Sequence, residues 1–179
     1  MQQYKLNAAL LRAAKENDAD MAFKMLALGA NSLAKDKHGD TATYLFAAHG
    51  NEKAVLELAK TQPAASTLRH IDSNRDTPAI LLAMGGSTTV LVSLAYLSPD
   101  ILEDVNDSGE SVASWLATYG QEGLIMKLAE INPKIKEQAI IMAEAIKQCN
   151  TGLIKALIMN GFAQPHSINE RLDKAYSAL

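Results

Sequence analysis

DKHGDTATYLFAAHG, residues 36–50, and DSNRDTPAILLAMGG, residues 72–86, are two copies of one pattern. A polar turn (Gly39-Asp40-Thr41 in one, Asp76-Thr77-Pro78 in the other) opens an apolar run that closes on Gly50 or Gly86. Residues 106–120, NDSGESVASWLATYG, carry the pattern more loosely, with Gly109, Ser111, Ala117 and Gly120. A pattern that returns after one fixed interval decides the architecture before any side-chain chemistry is considered.

Working outward, five residues close the first helical run of each block: Asn17, Gly50, Gly86, Gly120 and Cys149, at spacings of 33, 36, 34 and 29. Five, eight and nine positions after each closing residue stand Ala22, Met25, Leu26; Val55, Leu58, Ala59; Leu91, Leu94, Ala95; Ile125, Leu128, Ala129; and Ile154, Leu157, Ile158. Apolar residues three, four and one apart form one helical face. Before the closing residues lie further helical runs, at 8–14, 41–48, 77–84, 111–118 and 139–147. A helix pair of this length cannot bury its apolar face alone, so neighbours must stack on it. The expected fold is all-α: about five stacked helix-turn-helix repeats, near 5–35, 36–71, 72–105, 106–134 and 135–162, in a single domain over 1–179.

The motif resembles the ankyrin repeat, which reads roughly D-x-x-G-x-T-P-L-H-x-A-A-x-x-G. Asp36, Gly39, Thr41, Ala47 and Gly50 match in the second block, and Asp72, Thr77, Pro78, Ala83 and Gly86 in the third. The first and fifth blocks keep the apolar columns and lose most turn residues. The likeness covers about residues 5 to 162, and Tyr44, Ile80 and Ser114 stand where the family has histidine. Leu28-Gly29-Ala30-Asn31 and Met159-Asn160-Gly161-Phe162 look like helix-ending glycine turns. Thr41, Thr77 and Ser111 are placed to cap the first helices, so Thr77→Val is expected to cost about 1 kcal/mol. A last helix over 166–179, opened by Ser167 and Glu170, is expected to cap the stack.

Aromatic residues make up only 5% of the chain, so the core must be built from Ala, Leu, Ile, Val and Met. A net charge of −3 lacks the excess of basic residues that nucleic acid requires. One cysteine excludes an internal disulfide, and the N-terminus shows neither a signal peptide nor a span. The expected compartment is reducing: the cytoplasm, or a host cytoplasm reached by a signal-less route.

Asp72-Ser73-Asn74-Arg75-Asp76 begins like a calcium loop, but Thr77 and Ala83 stand where Gly and Glu are needed. His38, His49, His70 and His166 have no metal-ligand spacing and read as solvated turn residues. Cys149 lacks a local base and reads as a buried or half-buried thiol. No catalytic constellation, metal site or cofactor motif is expected.

The resemblance implies a binding surface on the concave face, at the turn tips and the exposed side of the inner helices. Carried over by column, this gives Lys15, Lys35, Lys37, His38, Asp40, His49, His70, Asn74, Asp76, Met84, Asp107, Glu110 and Tyr119. Tyr119 is the expected anchor, whereas Trp115 reads as core. Residues 100–110 hold five acids and no Lys or Arg, so a partner is expected to be basic there. The expected function is a non-catalytic protein–protein interaction module: an adaptor, scaffold or inhibitor, monomeric alone, binding no membrane. The alternatives are a secreted bacterial effector or, if the 1–11 edge is apolar and exposed, a self-assembling structural protein.

Overall fold

The computed structural model describes residues 2–61 and 64–165. Among these, all regular structure is helical apart from one isolated antiparallel bridge between Lys35 and Thr41. The expected helix over 166–179, with His166, lies outside the described residues.

Among the described residues eleven α-helices follow one another: α1 (Gln2–Lys15), α2 (Ala19–Ala27), α3 (Ala42–Ala48), α4 (Glu52–Thr61), α5 (Ala64–Leu68), α6 (Pro78–Met84), α7 (Leu91–Leu97), α8 (Val112–Thr118), α9 (Glu122–Ile131), α10 (Ala139–Lys147) and α11 (Thr151–Met159). Most pair within a block: α1 with α2, α3 with α4, α6 with α7, α8 with α9, α10 with α11. The first members also touch in succession, α1 to α3 to α6 to α8 to α10, while α4, α7 and α9 form a second row.

The closing residues set this geometry. Asn17, Gly50, Gly86, Gly120 and Cys149 all adopt positive φ, between 53° and 75°. At each, two backbone N–H groups return to the last helical turn. Gly50 N donates to Ala47 O and Asn51 N to Phe46 O, and the same two bonds recur at Cys149 and Asn150. A left-handed residue that ends a helix this way reverses the chain tightly, which is why glycine holds three of the five places. Cys149 adopts the same conformation with a side chain, and that side chain is exposed, not the buried thiol expected.

Caps fix the other end of the first helices. Thr41, Thr77 and Ser111 accept from the N–H groups of Tyr44, Ile80 and Ser114 at 3.2–3.3 Å, and Pro78 occupies the first turn of α6. Ser111 and Ser114 form a reciprocal capping box, so Ser114 holds its own helix start.

One continuous core runs from Leu10 to Phe162, and Ala, Leu, Ile and Val dominate it. The apolar columns of α4, α7 and α9 are buried throughout, whereas Met25 and Leu26 in α2 and Ile154 in α11 are half-buried and Ile158 is exposed. Among the described residues, α7 has a neighbour of its own row on each side, α4 and α9. Two 3-10 helices, Pro99–Leu102 and Pro133–Glu137, together with α5, occupy connections between successive helix pairs. They carry Leu68, Ile101, Leu102 and Ile135 into the core.

Candidate interaction face

Three connections are built on one plan. Asp36 Oδ1 accepts from the N–H groups of His38 and Asp40 at 2.8 and 3.0 Å. Asp72 Oδ1 does the same with Asn74 and Asp76, and Asn106 Oδ1 with Ser108 and Glu110. A short side-chain acceptor two and four residues ahead of the donors folds the tip into a hairpin. Gly39, Arg75 and Gly109 take positive φ at the tips. Asn106 was not recognised as the equivalent of Asp36 and Asp72; the signal was its place five residues before Ser111.

Different chemistry links consecutive turns. Lys15 Nζ lies 2.6 Å from Asp36 Oδ2, and Tyr44 donates its hydroxyl to Asp72 Oδ2 at 2.8 Å. Asn106 Nδ2 donates to Asp76 Oδ1 and to Glu110 Oε2, both at 2.9 Å, and Asp107 N donates to Asn74 O. Tyr44 therefore ties the second block to the third.

These contacts shift the acids in opposite directions. Burial pushes Asp36 up, but the Lys15 ammonium and the N–H groups of Asp40 and His38 outweigh it and hold the carboxyl at about 2. Asp72 is also lowered: burial raises it, and the N–H groups of Asp76 and Asn74 with the Tyr44 hydroxyl prevail. Asp76 is raised, chiefly by burial, with Asp72, Glu110 and Asp107 adding repulsion against the Asn106 bond. Tyr44 is raised by burial and by the Asp72 carboxylate.

The thirteen residues proposed for contact separate on these grounds. Lys15, Lys35, Lys37, His38, His49, Asn74, Asp107 and Tyr119 are exposed, and Asp40, Met84 and Glu110 are half-buried. Asp76 is buried against Asn106, so it builds the ridge and cannot meet a partner directly. His70 is likewise no solvated turn residue. Its side chain is only 7% exposed, lies 3.6 Å from Asp40 and meets the Tyr44 ring edge-on at 5.3 Å between centroids. Burial and the Lys35 charge lower its pKa, against the pull of Asp40 and Asp72.

The first helices turn a second surface outward. Two and five positions before the closing residues stand Lys15 and Arg12, Ala48 and Leu45, Met84 and Leu81, Thr118 and Trp115, and Lys147 and Glu144. In α3 the residues between, Ala42, Thr43, Phe46 and Ala47, are buried, which leaves Leu45 and Ala48 on the outer side. Leu45, Leu81 and Trp115 are all half-buried. Trp115, expected to be core, is thus part of an apolar strip that runs across three blocks.

Bridges cross this strip one position before the closing residue. His49 Nε2 lies 3.0 Å from Lys15 O, and Tyr119 donates its hydroxyl to Met84 O at 2.6 Å. Trp115 and Tyr119 pack with ring centroids 6.2 Å apart. The third block has Gly85 at this position, which offers no side chain for such a bridge.

Four of the five acids of 100–110 find cations in other blocks. Arg69 lies 2.8 Å from Asp100 and 3.9 Å from Asp104, Lys134 lies 3.1 Å from Glu103, and Arg75 lies 3.8 Å from Asp107. The Ser98 hydroxyl also bonds Asp100, and that bond, ahead of Arg69, lowers its pKa. The stretch that reads as unrelieved negative charge is threaded with positive charge in the fold.

Among the described residues no group of three His, Cys, Asp or Glu side chains could hold a metal ion, and no helix is long and apolar enough to cross a membrane. The sequence matches no family model and, at a significant level, no curated protein.

Proposed function

We propose that the chain is an ankyrin-type solenoid that works as a protein–protein interaction module, receiving its partner along the outer side of α3, α6 and α8. The observation that carries this reading is the apolar strip: Leu45, Ala48, Leu81, Met84 and Trp115 share one surface, with the polar turns along one margin. Interface centres are poor in charge and rich in Met and aromatic residues, inside a polar rim. Tyr119, 45% exposed, stands at the edge of the strip. Its hydroxyl is already held by Met84 O, so it is presented to a partner with little side-chain freedom left to lose.

Leu81→Glu tests the reading, because a carboxylate in the centre of the strip would be desolvated by any partner lying across it. Wild type and Leu81→Glu, matched for helical content and melting temperature, are used to capture proteins from the native cell. Lys53→Glu on the opposite row serves as control. The expected result is a partner held by wild type and Lys53→Glu and lost by Leu81→Glu. Equal capture by all three overturns the proposal.

A further inference from the structure

Between α1 and the turn that leads into α3 lies a concavity of about 470 Å³. Tyr4, Ala8 and Leu11 form its apolar lining, and Tyr4 is 79% exposed. Arg12, Lys35 and Lys37 stand around it, and none has a carboxylate partner among the described residues. Lys15 lines it too, already paired with Asp36. This contrasts with Arg69, Arg75 and Lys134, each of which lies within 4 Å of an acid. The unspent positive charge of the ridge is therefore gathered at its first block, beside an open aromatic ring.

From this geometry we infer that the concavity binds an acidic peptide segment of a partner protein: carboxylates flanking one aromatic or large aliphatic side chain. The flanking carboxylates meet the Arg12 guanidinium, whose fork suits two oxygens, and the Lys35 and Lys37 ammonium groups. The side chain between them lies on Tyr4, Ala8 and Leu11. A long polyanion fits less well, because Asp40 in the same turn, Asp72 in the next and Asp107 and Glu110 in the one after interrupt the basic surface. The inference rests on the interaction reading above and extends it, by giving the partner a sign of charge where it meets the first block.

The test uses fluorescence anisotropy of a labelled Asp-Glu-Phe-Asp-Glu peptide, its Phe→Ser form and a Lys-Arg-Phe-Lys-Arg peptide on the full chain. The acidic aromatic peptide is expected to bind at least about tenfold more tightly than either other peptide, and more weakly as salt is raised. Arg12→Gln with Lys35→Gln is expected to weaken it at least about tenfold, and Lys53→Gln to leave it unchanged. Absence of peptide binding, indifference to the double variant, or displacement by single-stranded DNA at equal charge concentration each overturns the inference. Capture of the native partner keeps the two readings apart. A partner lost by Leu81→Glu and fully retained by the double variant sinks the acidic-peptide inference alone, whereas a partner retained by both sinks the apolar strip.

Discussion

The stretch 100–110 reads as acidic and the turn at 35–40 as balanced, with two Lys against two Asp, yet the fold leaves the uncompensated charge at the second. Asp100, Glu103, Asp104 and Asp107 are each approached by a cation from another block, with Arg69 and Arg75 arriving from the preceding connection and Lys134 from the following one. Arg12, Lys35 and Lys37 receive no such counter-charge from the described residues. A run of like charge in a sequence is a field only if nothing folds onto it. Exposed pairs at these separations contribute little stability. They do cancel the potential that would steer a charged partner.

The largest effect is expected where the concavity is anchored. Asp36→Ala removes two N–H acceptor bonds and the partner of Lys15, and should lower stability by about 2–3 kcal/mol in chemical denaturation. Asp36→Asn keeps the acceptor, as Asn106 does in its own turn, and should cost less. It also separates structure from charge. The folded carboxyl is held at about 2 against 3.8 for the free group, so its contribution is fully present above 3.8 and is lost as pH falls through about 2. In wild type this loss should reach about 2 kcal/mol, and Asp36→Asn should flatten that part of the pH profile. An equal slope in both proteins would remove the Lys15–Asp36 pair from the account.

A smaller effect is expected at the neutralised end. Arg69→Met leaves Asp100 and Asp104 without their cation, and should cost no more than about 1 kcal/mol, since all three side chains keep some contact with water. The smallest concerns recognition. Asp107→Lys with Glu110→Lys should leave association with the native partner at low salt within about twofold, because Arg75 and Asn106 already engage both acids. A strongly slowed association would restore the view that the partner is basic at the fourth block and would break the contrast between the two ends.

Much of the helical register was legible. The five closing residues, small or polar and recurring at intervals of 29 to 36, all prove left-handed, including Asn17 and Cys149, where no glycine marks the place. The three hydroxyl caps and the glycine turns at Gly29 and Gly161 also fall where the pattern puts them. The short connecting helices were less legible. They have too few residues for helical periodicity, although Pro99 and Pro133 each precede, by two residues, an isoleucine that ends in the core.

The candidate face was legible as a set of columns, not as a surface. Asp76 and His70 belong to the right turns, yet Asn106 covers one, and Asp40 and Tyr44 flank the other. Trp115 reads as core because an aromatic residue in a helical run usually is. Only the packing of α8 between α6 and α10 leaves it half-buried against the core, next to Tyr119.

Residue order alone determined where α3, α6 and α8 begin and where the first helix of each block reverses, because these caps and left-handed closures are satisfied by neighbours within a few positions along the chain. Tertiary structure alone decided which charges survive and which apolar groups remain uncovered. Arg69 meets Asp100, Tyr44 meets Asp72 and Tyr119 meets Met84 across roughly thirty residues of chain, a separation at which local preference has no hold and only the packing of one block on the next sets the distance.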